Sequence, residues 1–248
     1  MASYLDQTGL AHFKEKFTAA NDAKYALKGE SAGIATADKA GIVKPGDDFD
    51  ISSDGTISLY ESMRVDYVSI APNTVERGAT VNDAVIKWGL NKTPKTLMLN
   101  TDSVDVNSTS KTLANWNKKE NFTATVKATD ARGAVAQNSA TLSFLDKRHW
   151  FTGAYDAGGV TDAVLNGATG ELATGRQKTF SVTAADGDYI YYAYPHSWGT
   201  PSFFVGGFEG GFSLLKTFDH VNASGATVSY DVYKSGNAGL GDTTVEVR

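Results

Sequence analysis

The residues that could do chemistry are a few acids, and most of them lie in the C-terminal part of the chain. Asp186 and Asp188 stand two residues apart around a glycine turn, and a carboxylate pair is what acid–base cleavage of a glycosidic bond requires. Acids in such a position are more typical of solvated turns, because aspartate favours turns. Glu209 lies between two glycine pairs, where it could accept hydrogen bonds from sugar hydroxyls or from the amides of its own loop.

A glycine-rich loop and the histidines are the other candidates for chemistry. The loop GGFEGGFS at 206–213 has the glycine spacing of a phosphate-binding loop, but Phe212 stands where the lysine is needed. The four histidines are His12, His149, His196 and His220. No two of them are spaced as metal ligands usually are. A metal held on a trimer axis by three copies of one histidine stays open. Apart from that, the sequence predicts no catalytic residue, no metal ligand and no cofactor.

The stretch DYIYYAYPHSWGTPSFFVGGFEGG at 188–211 carries aromatic side chains on both faces of a predicted strand. Ile190 marks one face as core, because successive residues of a strand point to opposite sides. Tyrosine can bury its ring and keep its hydroxyl wet, so the other face is predicted to contact a ligand or a sister subunit. The adjacent loops add polar groups and an indole plane, although Trp198 could instead pack under its own loop. The predicted ligand-binding residues are Tyr189, Tyr191, His196, Trp198 and Glu209.

Composition and charge exclude several classes of partner. The chain has 248 residues, a formal net charge of −5 and no cysteine, so it contains no disulfide and no thiolate metal site. No region is strongly basic, which argues against a nucleic-acid partner. No apolar run approaches the roughly 20 residues that span a bilayer, so no membrane partner is expected. The opening residues lack the pattern of a secretory signal, and we expect synthesis in the cytoplasm.

The elements that would position these residues begin with a short segment at 1–60. Leu10, Phe13 and Phe17 form one stripe of a helix predicted within 1–28. A hairpin follows at 49–59, where apolar residues alternate on both sides of an Asp-Gly turn. Neither element is stable alone, so we predict that 1–60 attaches or trimerises the chain. Packing of both elements on the first β-domain is the alternative.

The fold is predicted to be mainly β, with two β-domains after this segment. Residues 61–147 resemble a seven-stranded immunoglobulin-like sandwich with Trp88 in mid-strand, and its strands are predicted at 66–70, 84–90, 96–100, 104–107, 121–129 and 134–144. Residues 148–248 are rich in aromatics and glycine and indicate a second sandwich or a barrel. Its strands are predicted at 177–183, 188–194, 202–205, 212–219, 227–233 and 243–247.

Three stretches resemble the minor tail proteins of bacteriophages and prophages, a group that includes tail fibres and receptor-binding proteins. They are YLDQTGLAHFKEKF at 4–17, ADKAGIVKPGDDFDISSDGTISLY at 37–60, and the region that runs from YYAYPHSWGTPSFFVGGFEGGFSLLKTF to SYDVYKSGNAGLGDTTVEV. The resemblance covers about 60 residues at each end of the chain. It implies a virion component at the tail tip, often a homotrimer, with an N-terminal attachment part and a C-terminal part that faces the receptor.

The resemblance implies a non-enzymatic function in host attachment, with other tail proteins and a bacterial cell-surface glycan as partners. Three alternatives stay open. The first is a purely structural tail-tip or fibre spacer whose aromatics are buried in subunit interfaces. The second is a glycan depolymerase that uses Glu209. The third is a bacterial adhesin built from immunoglobulin-like modules, against which the absence of a signal or wall-attachment pattern counts.

Overall fold

The computed structural model describes residues 48–51 and 56–248, so the helix predicted within 1–28 lies outside the described residues. The chain divides into two units between residues 62 and 63. In the first unit, β1 (Phe49–Ile51) pairs antiparallel with β2 (Ile57–Leu59), and Phe49 lies opposite Leu59. The alternating apolar residues predicted this pairing. Phe49, Ile57 and Leu59 are exposed.

The secondary structure of the second unit is mainly β-strand, as predicted. Its first strands are β3 (Val65–Ala71), β4 (Thr74–Glu76), β5 (Ala84–Leu90), β6 (Thr96–Leu99), β7 (Asp102–Val104), β8 (Ser110–Leu113), β9 (Phe122–Thr129) and β10 (Val135–Gly153). After the helix α1 (Asp162–Gly167) come β11 (Thr169–Ala173), β12 (Lys178–Ala184), β13 (Tyr189–Pro195), β14 (Phe203–Val205), β15 (Phe208–Glu209), β16 (Phe212–Val221), β17 (Thr227–Ser235) and β18 (Gly241–Val247). Among the described residues no helix is long and apolar enough to cross a bilayer.

The N-terminal half of this unit is the immunoglobulin-like sandwich that the sequence predicts. The sheet β3-β5-β8 packs on β10-β9-β6-β7, seven strands in all, and β4 pairs with β10 in parallel. Trp88 is fully buried between the sheets, and its indole N–H donates to the carbonyl of Ser108 at 2.8 Å. The strand predicted at 104–107 is wrong beyond Val104. Asp105 accepts a hydrogen bond from the backbone N–H of Asn107 at 2.9 Å, and such a side-chain bond favours a turn over a strand.

The C-terminal half is a second sandwich that shares a strand with the first. Strand β10 has 19 residues; its first part pairs with β9 and its last part with β13. The sheet β16-β17-β13-β10 packs on the sheet β12-β18-β14-β15 across a core that is rich in aromatic rings. The domain boundary predicted at 147–148 falls inside β10, and the division into two domains stays a prediction.

Strand β13 is buried on both faces. Ile190, Tyr192 and Tyr194 point into the core between the two sheets, which confirms the core face that the sequence predicts. On the opposite face, Tyr191 packs in a cluster with Val160 and Leu165, which precede and belong to α1. The helix α1 was not predicted, because a six-residue helix is too short for its apolar periodicity to show.

Candidate ligand-binding site

The first part of the site is the 3₁₀ turn His196–Trp198, which directly follows β13. Gly199 ends the turn at a φ of +79°, a conformation that suits glycine. Tyr194 supports the turn from below: its ring stacks on that of Trp198 with centroids 6.2 Å apart, and its hydroxyl donates to the carbonyl of Gly199 at 2.8 Å. Trp198 is therefore half-buried, with one part packed on the core and another part open to solvent.

His196 is oriented by a buried carboxylate on the neighbouring strand β17. Its Nδ1 lies 2.9 Å from each carboxylate oxygen of Asp231, and Thr217 donates to the same group at 2.6 Å. The Asp231 side chain is 6% exposed, whereas that of His196 is 64% exposed. A buried carboxylate needs such partners. Because Asp231 occupies Nδ1, the ring offers its Nε2 to a ligand.

Arg176 connects the turn to the C-terminus of the chain. Its Nη1 donates to the carbonyl of Trp198, and its Nε donates to the carbonyl of Arg248 at 3.1 Å. Arg248 also pairs with Ser202 through two backbone hydrogen bonds of 2.9 and 3.1 Å. Arg176 thus holds the end of β18 and the start of β14 beside the indole.

Phe204 and two charged side chains form the second part of the site. The guanidinium carbon of Arg248 lies 4.1 Å from the centre of the Phe204 ring, while Arg248 also donates to both carboxylate oxygens of Glu246 at 2.7 and 2.9 Å. This hydrogen-bonded pair raises the pKa of Arg248, with a smaller effect from Glu209. Strand pairing places Phe204 directly opposite Glu209 on one side and Glu246 on the other. We call Arg176, Trp198, Phe204, Glu209 and Arg248 the tip site.

The glycine-rich loop is a hairpin that presents Glu209 beside Phe204. Gly206 and Gly207 adopt φ values of +58° and +85° between β14 and β15, which side chains other than glycine rarely allow. Phe208 at its end is 82% exposed. Strand β16 follows the hairpin where a phosphate loop would need a helix, so the glycine spacing serves the hairpin.

Three of the five predicted ligand-binding residues cluster at one end of the sandwich, and two do not. Trp198 and Glu209 belong to the tip site, and His196 lies in the same turn as Trp198. Tyr189 starts β13, whereas His196 follows its last residue, so about 23 Å of extended chain separates them. Tyr189 is half-buried under the ammonium group of Lys234, 3.7 Å from its ring centre.

The prediction that Tyr191 offers a contact surface is wrong. Its ring is fully buried and stacks on Phe151 with centroids 4.8 Å apart. Its hydroxyl donates to the carbonyl of Tyr155 at 2.7 Å and accepts from the N–H of the same residue at 2.9 Å. Burial raises the pKa of this phenol. The tyrosine face is covered because the segment around α1 packs over it, which strand alternation cannot reveal.

The carboxylate pair and the other histidines do not form a catalytic or metal site among the described residues. Asp186 is exposed, and the Asp188 N–H bonds to the carbonyl of Ala185 at 2.9 Å, as in a solvated turn. His149 and His220 are buried together, with ring centroids 6.0 Å apart. Within the described ranges no cluster of three or more His, Asp or Glu side chains is arranged to hold a metal. His12, which could hold a metal on a trimer axis, lies outside the described residues.

Sequence reasoning missed four residues of the site and its support, which are Arg176, Phe204, Asp231 and Arg248. Each acts through partners far away in the chain: Arg176 bonds to Arg248, 72 residues on, and His196 to Asp231, 35 residues on. No local motif marks such pairs. The arrangement can stack an apolar ligand surface on aromatic rings and bind hydroxyls through carboxylate, guanidinium and imidazole groups.

Comparisons with known proteins give no family. No protein-family model matches the chain, and a search of curated proteins finds no match. Among solved structures, a chitinase from Bacillus thuringiensis is 11% identical with a TM-score of 0.24, and the match covers 74% of this chain and 26% of that one. The N-terminal eight Ig domains of Down Syndrome Cell Adhesion Molecule are 13% identical with a TM-score of 0.23, over 85% of this chain and 34% of that one. Such low scores support no argument about fold or function.

Proposed function

We propose that this chain is a non-enzymatic tail protein of a bacteriophage virion that attaches to the host by binding a cell-surface glycan at the tip site. The observation that carries the proposal is the half-buried ring of Phe204, which is flanked by Glu209, Glu246 and the guanidinium of Arg248. Sugar rings have C–H faces that pack on aromatic rings and hydroxyls that bond to charged groups. The tip site offers both kinds of contact.

The expected partners follow from the same proposal. A single shallow site of this kind binds weakly, and several copies on one virion raise the overall avidity. We propose a homotrimer assembled through residues 1–60, which also contact other tail proteins, while the tip site binds the glycan. The resemblance of 4–17 and 37–60 to phage tail proteins supports this assignment.

The test is binding of the full-length protein to an array of bacterial cell-surface polysaccharides, followed by calorimetry with the best binder. Phe204→Leu removes the aromatic plane but keeps an apolar side chain, and we expect at least a tenfold loss of affinity. Phe208→Leu is the matched control, because Phe208 lies on the same hairpin and is 82% exposed. Its neighbour Glu209 is the residue paired with Phe204, so Phe208 points to the opposite face.

Three results would contradict the proposal. If the full-length protein binds no polysaccharide on the array, a glycan is not its ligand. If Phe204→Leu and Phe208→Leu lose the same amount of affinity, the glycan does not bind at the tip site. Turnover of a polysaccharide that Glu209→Gln abolishes would show a depolymerase instead. Products released during incubation are measured as reducing ends.

A second candidate function is a purely structural spacer in the tail, and exposed apolar side chains favour it. Phe208 is 82% and Leu214 51% exposed, both close to the glycine-rich hairpin. A subunit interface would cover them. Light scattering distinguishes the two functions: loss of the oligomer in Phe208→Ser, with glycan binding absent throughout, supports the spacer. The chain mass is 26.4 kDa, and a species near three times that value is expected for the trimer.

A further inference from the structure

We propose that the ligand is an extended, uncharged glycan that lies across the outward face of the sheet β12-β18-β14-β15. This inference rests on the proposed function, because it names the class of glycan that the tip site would take. It extends the site from one aromatic ring to a row of polar side chains over four strands.

Strand register places four outward side chains in one row. Thr179 of β12 pairs with Glu246 of β18, Glu246 pairs with Phe204 of β14, and Phe204 pairs with Glu209 of β15. Directly paired residues share a face of a sheet, and Thr179 and Glu209 are exposed. Strands lie about 4.8 Å apart, so the row spans about 14 Å. A single sugar ring is too short to contact all of it.

Hydroxyl groups continue this face along β12 and β18. The hydroxyls of Ser181 and Thr244 lie 2.9 Å apart, and Thr183 donates to Asp242 at 2.6 Å. The pairing of β14 with β18 ends at Val205 and Val245, so no residue of β14 is paired with Thr244. A polymer can therefore pass from the Phe204 ring onto the hydroxyl rows.

The charges on the face select against an anionic polymer. Glu209, Glu246 and Asp242 carry three carboxylates against two guanidinium groups, that of Arg248, which is paired with Glu246, and that of Arg176, which donates to the carbonyls of Trp198 and Arg248. Like charges brought together across an interface cost binding energy. A neutral glycan gains hydrogen bonds to the same carboxylates without that cost. Polysaccharides rich in uronic acid or phosphate should therefore bind poorly.

The experiment measures affinity against chain length. Oligosaccharides of one to eight units are prepared from the best-binding neutral polysaccharide of the array and titrated into the full-length protein. We expect the affinity to rise at least tenfold between one unit and four or five units and then to level off. The double variant Ser181→Ala/Thr244→Val should lose most of that rise while it binds the shortest ligand as the unaltered protein does.

A matched control comes from the other half of the molecule. Thr125 and Ser139 form the same kind of hydroxyl pair across β9 and β10, at 2.9 Å. Thr125→Val/Ser139→Ala should leave every affinity unchanged. Thermal unfolding of both double variants tests whether each remains folded.

The outcomes separate this inference from the proposed function. If no polysaccharide binds, the proposed function fails. If glycans bind but the affinity is independent of length, or is unaffected by Ser181→Ala/Thr244→Val, the site is confined to the tip and the extended face is wrong. Tighter binding to an anionic polysaccharide than to every neutral one would also overturn the inference.

Discussion

His196 Nδ1 lies 2.9 Å from both carboxylate oxygens of Asp231, so an exposed imidazole is held by a buried acid. Asp231 has a second donor in Thr217. Two strands and a turn therefore combine to fix one ring that faces solvent. This relationship makes Asp231 a positioning residue for a proposed ligand contact.

Asp231→Asn should weaken glycan binding about threefold to tenfold, which corresponds to roughly 0.7–1.4 kcal/mol. The neutral amide holds the imidazole less firmly than a carboxylate does. Calorimetry with the array-selected glycan measures the change. If Asp231 acts through His196, Asp231→Asn should cause no further loss of glycan affinity in a protein that already carries His196→Ala. Additive losses in the double variant would show that Asp231 acts by another route.

The stability of the protein should fall between pH 6.5 and pH 4 because of His149. Burial, with further effects from His220 and Lys147, lowers the pKa of His149 from 6.5 to about 4. The unfolded chain binds the proton first as the pH falls, so the stabilisation is complete above pH 6.5 and is lost towards the folded pKa. The expected loss is on the order of 3 kcal/mol, measured by urea unfolding at several pH values.

His149→Gln should flatten this pH dependence. Asp162 and Glu171 also have lowered pKa values, but they contribute equally in the parent and the variant. An unchanged slope in His149→Gln would assign the acid sensitivity to other groups.

Gly78→Ala should destabilise the protein more than Gly133→Ala. Both glycines have a left-handed backbone, with φ of +90° and +86°, and an alanine there costs about 1–2 kcal/mol. A Cβ at Gly78 would lie 2.9 Å from the Cβ of Ala226, whereas a Cβ at Gly133 meets nothing within 4 Å. The clash adds about 1–3 kcal/mol, which paired urea unfolding curves measure.

The difference between these two variants reports on the junction of the two sandwiches. Asn222 lies in the same turn as Ala226, and its side-chain amide donates to the carbonyl of Arg77 at 2.8 Å. Equal destabilisation by Gly78→Ala and Gly133→Ala would mean that the turn containing Ala226 moves away from the added Cβ with no loss of unfolding free energy.

Tyr191→Phe should lower the free energy of unfolding by about 1–3 kcal/mol, because it leaves the part-buried N–H of Tyr155 without its acceptor and takes one of two donors, the other being Lys234 at 3.1 Å, from the Tyr155 carbonyl. Tyr189→Phe should change it by less than about 0.5 kcal/mol, since Tyr189 is only half-buried. Chemical unfolding measures both. Glycan affinity should stay unchanged in Tyr191→Phe, and a selective loss of affinity without loss of stability would restore the contact face first predicted.

Much of the fold could be predicted because strand patterns are local. Alternating residues placed β5 at its observed bounds and β9, β12 and β13 within one residue of theirs. The 19-residue length of β10 was not predictable, because its second part is held by β11 and β13, which lie later in the chain. The turn at Asp105 was missed because its side-chain hydrogen bond competes with strand pairing.

Some features of the site could likewise be predicted from the sequence, and others depend on the tertiary structure. The sequence alone determined that the protein is mainly β, that one face of β13 is core, and that aromatic and glycine residues gather near Trp198 and Glu209. Only the tertiary structure decided that Tyr191 is covered and that Phe204 lies under Arg248. The physical reason is that side-chain direction repeats every two residues along a strand, whereas burial and partners depend on which distant segment packs against each face.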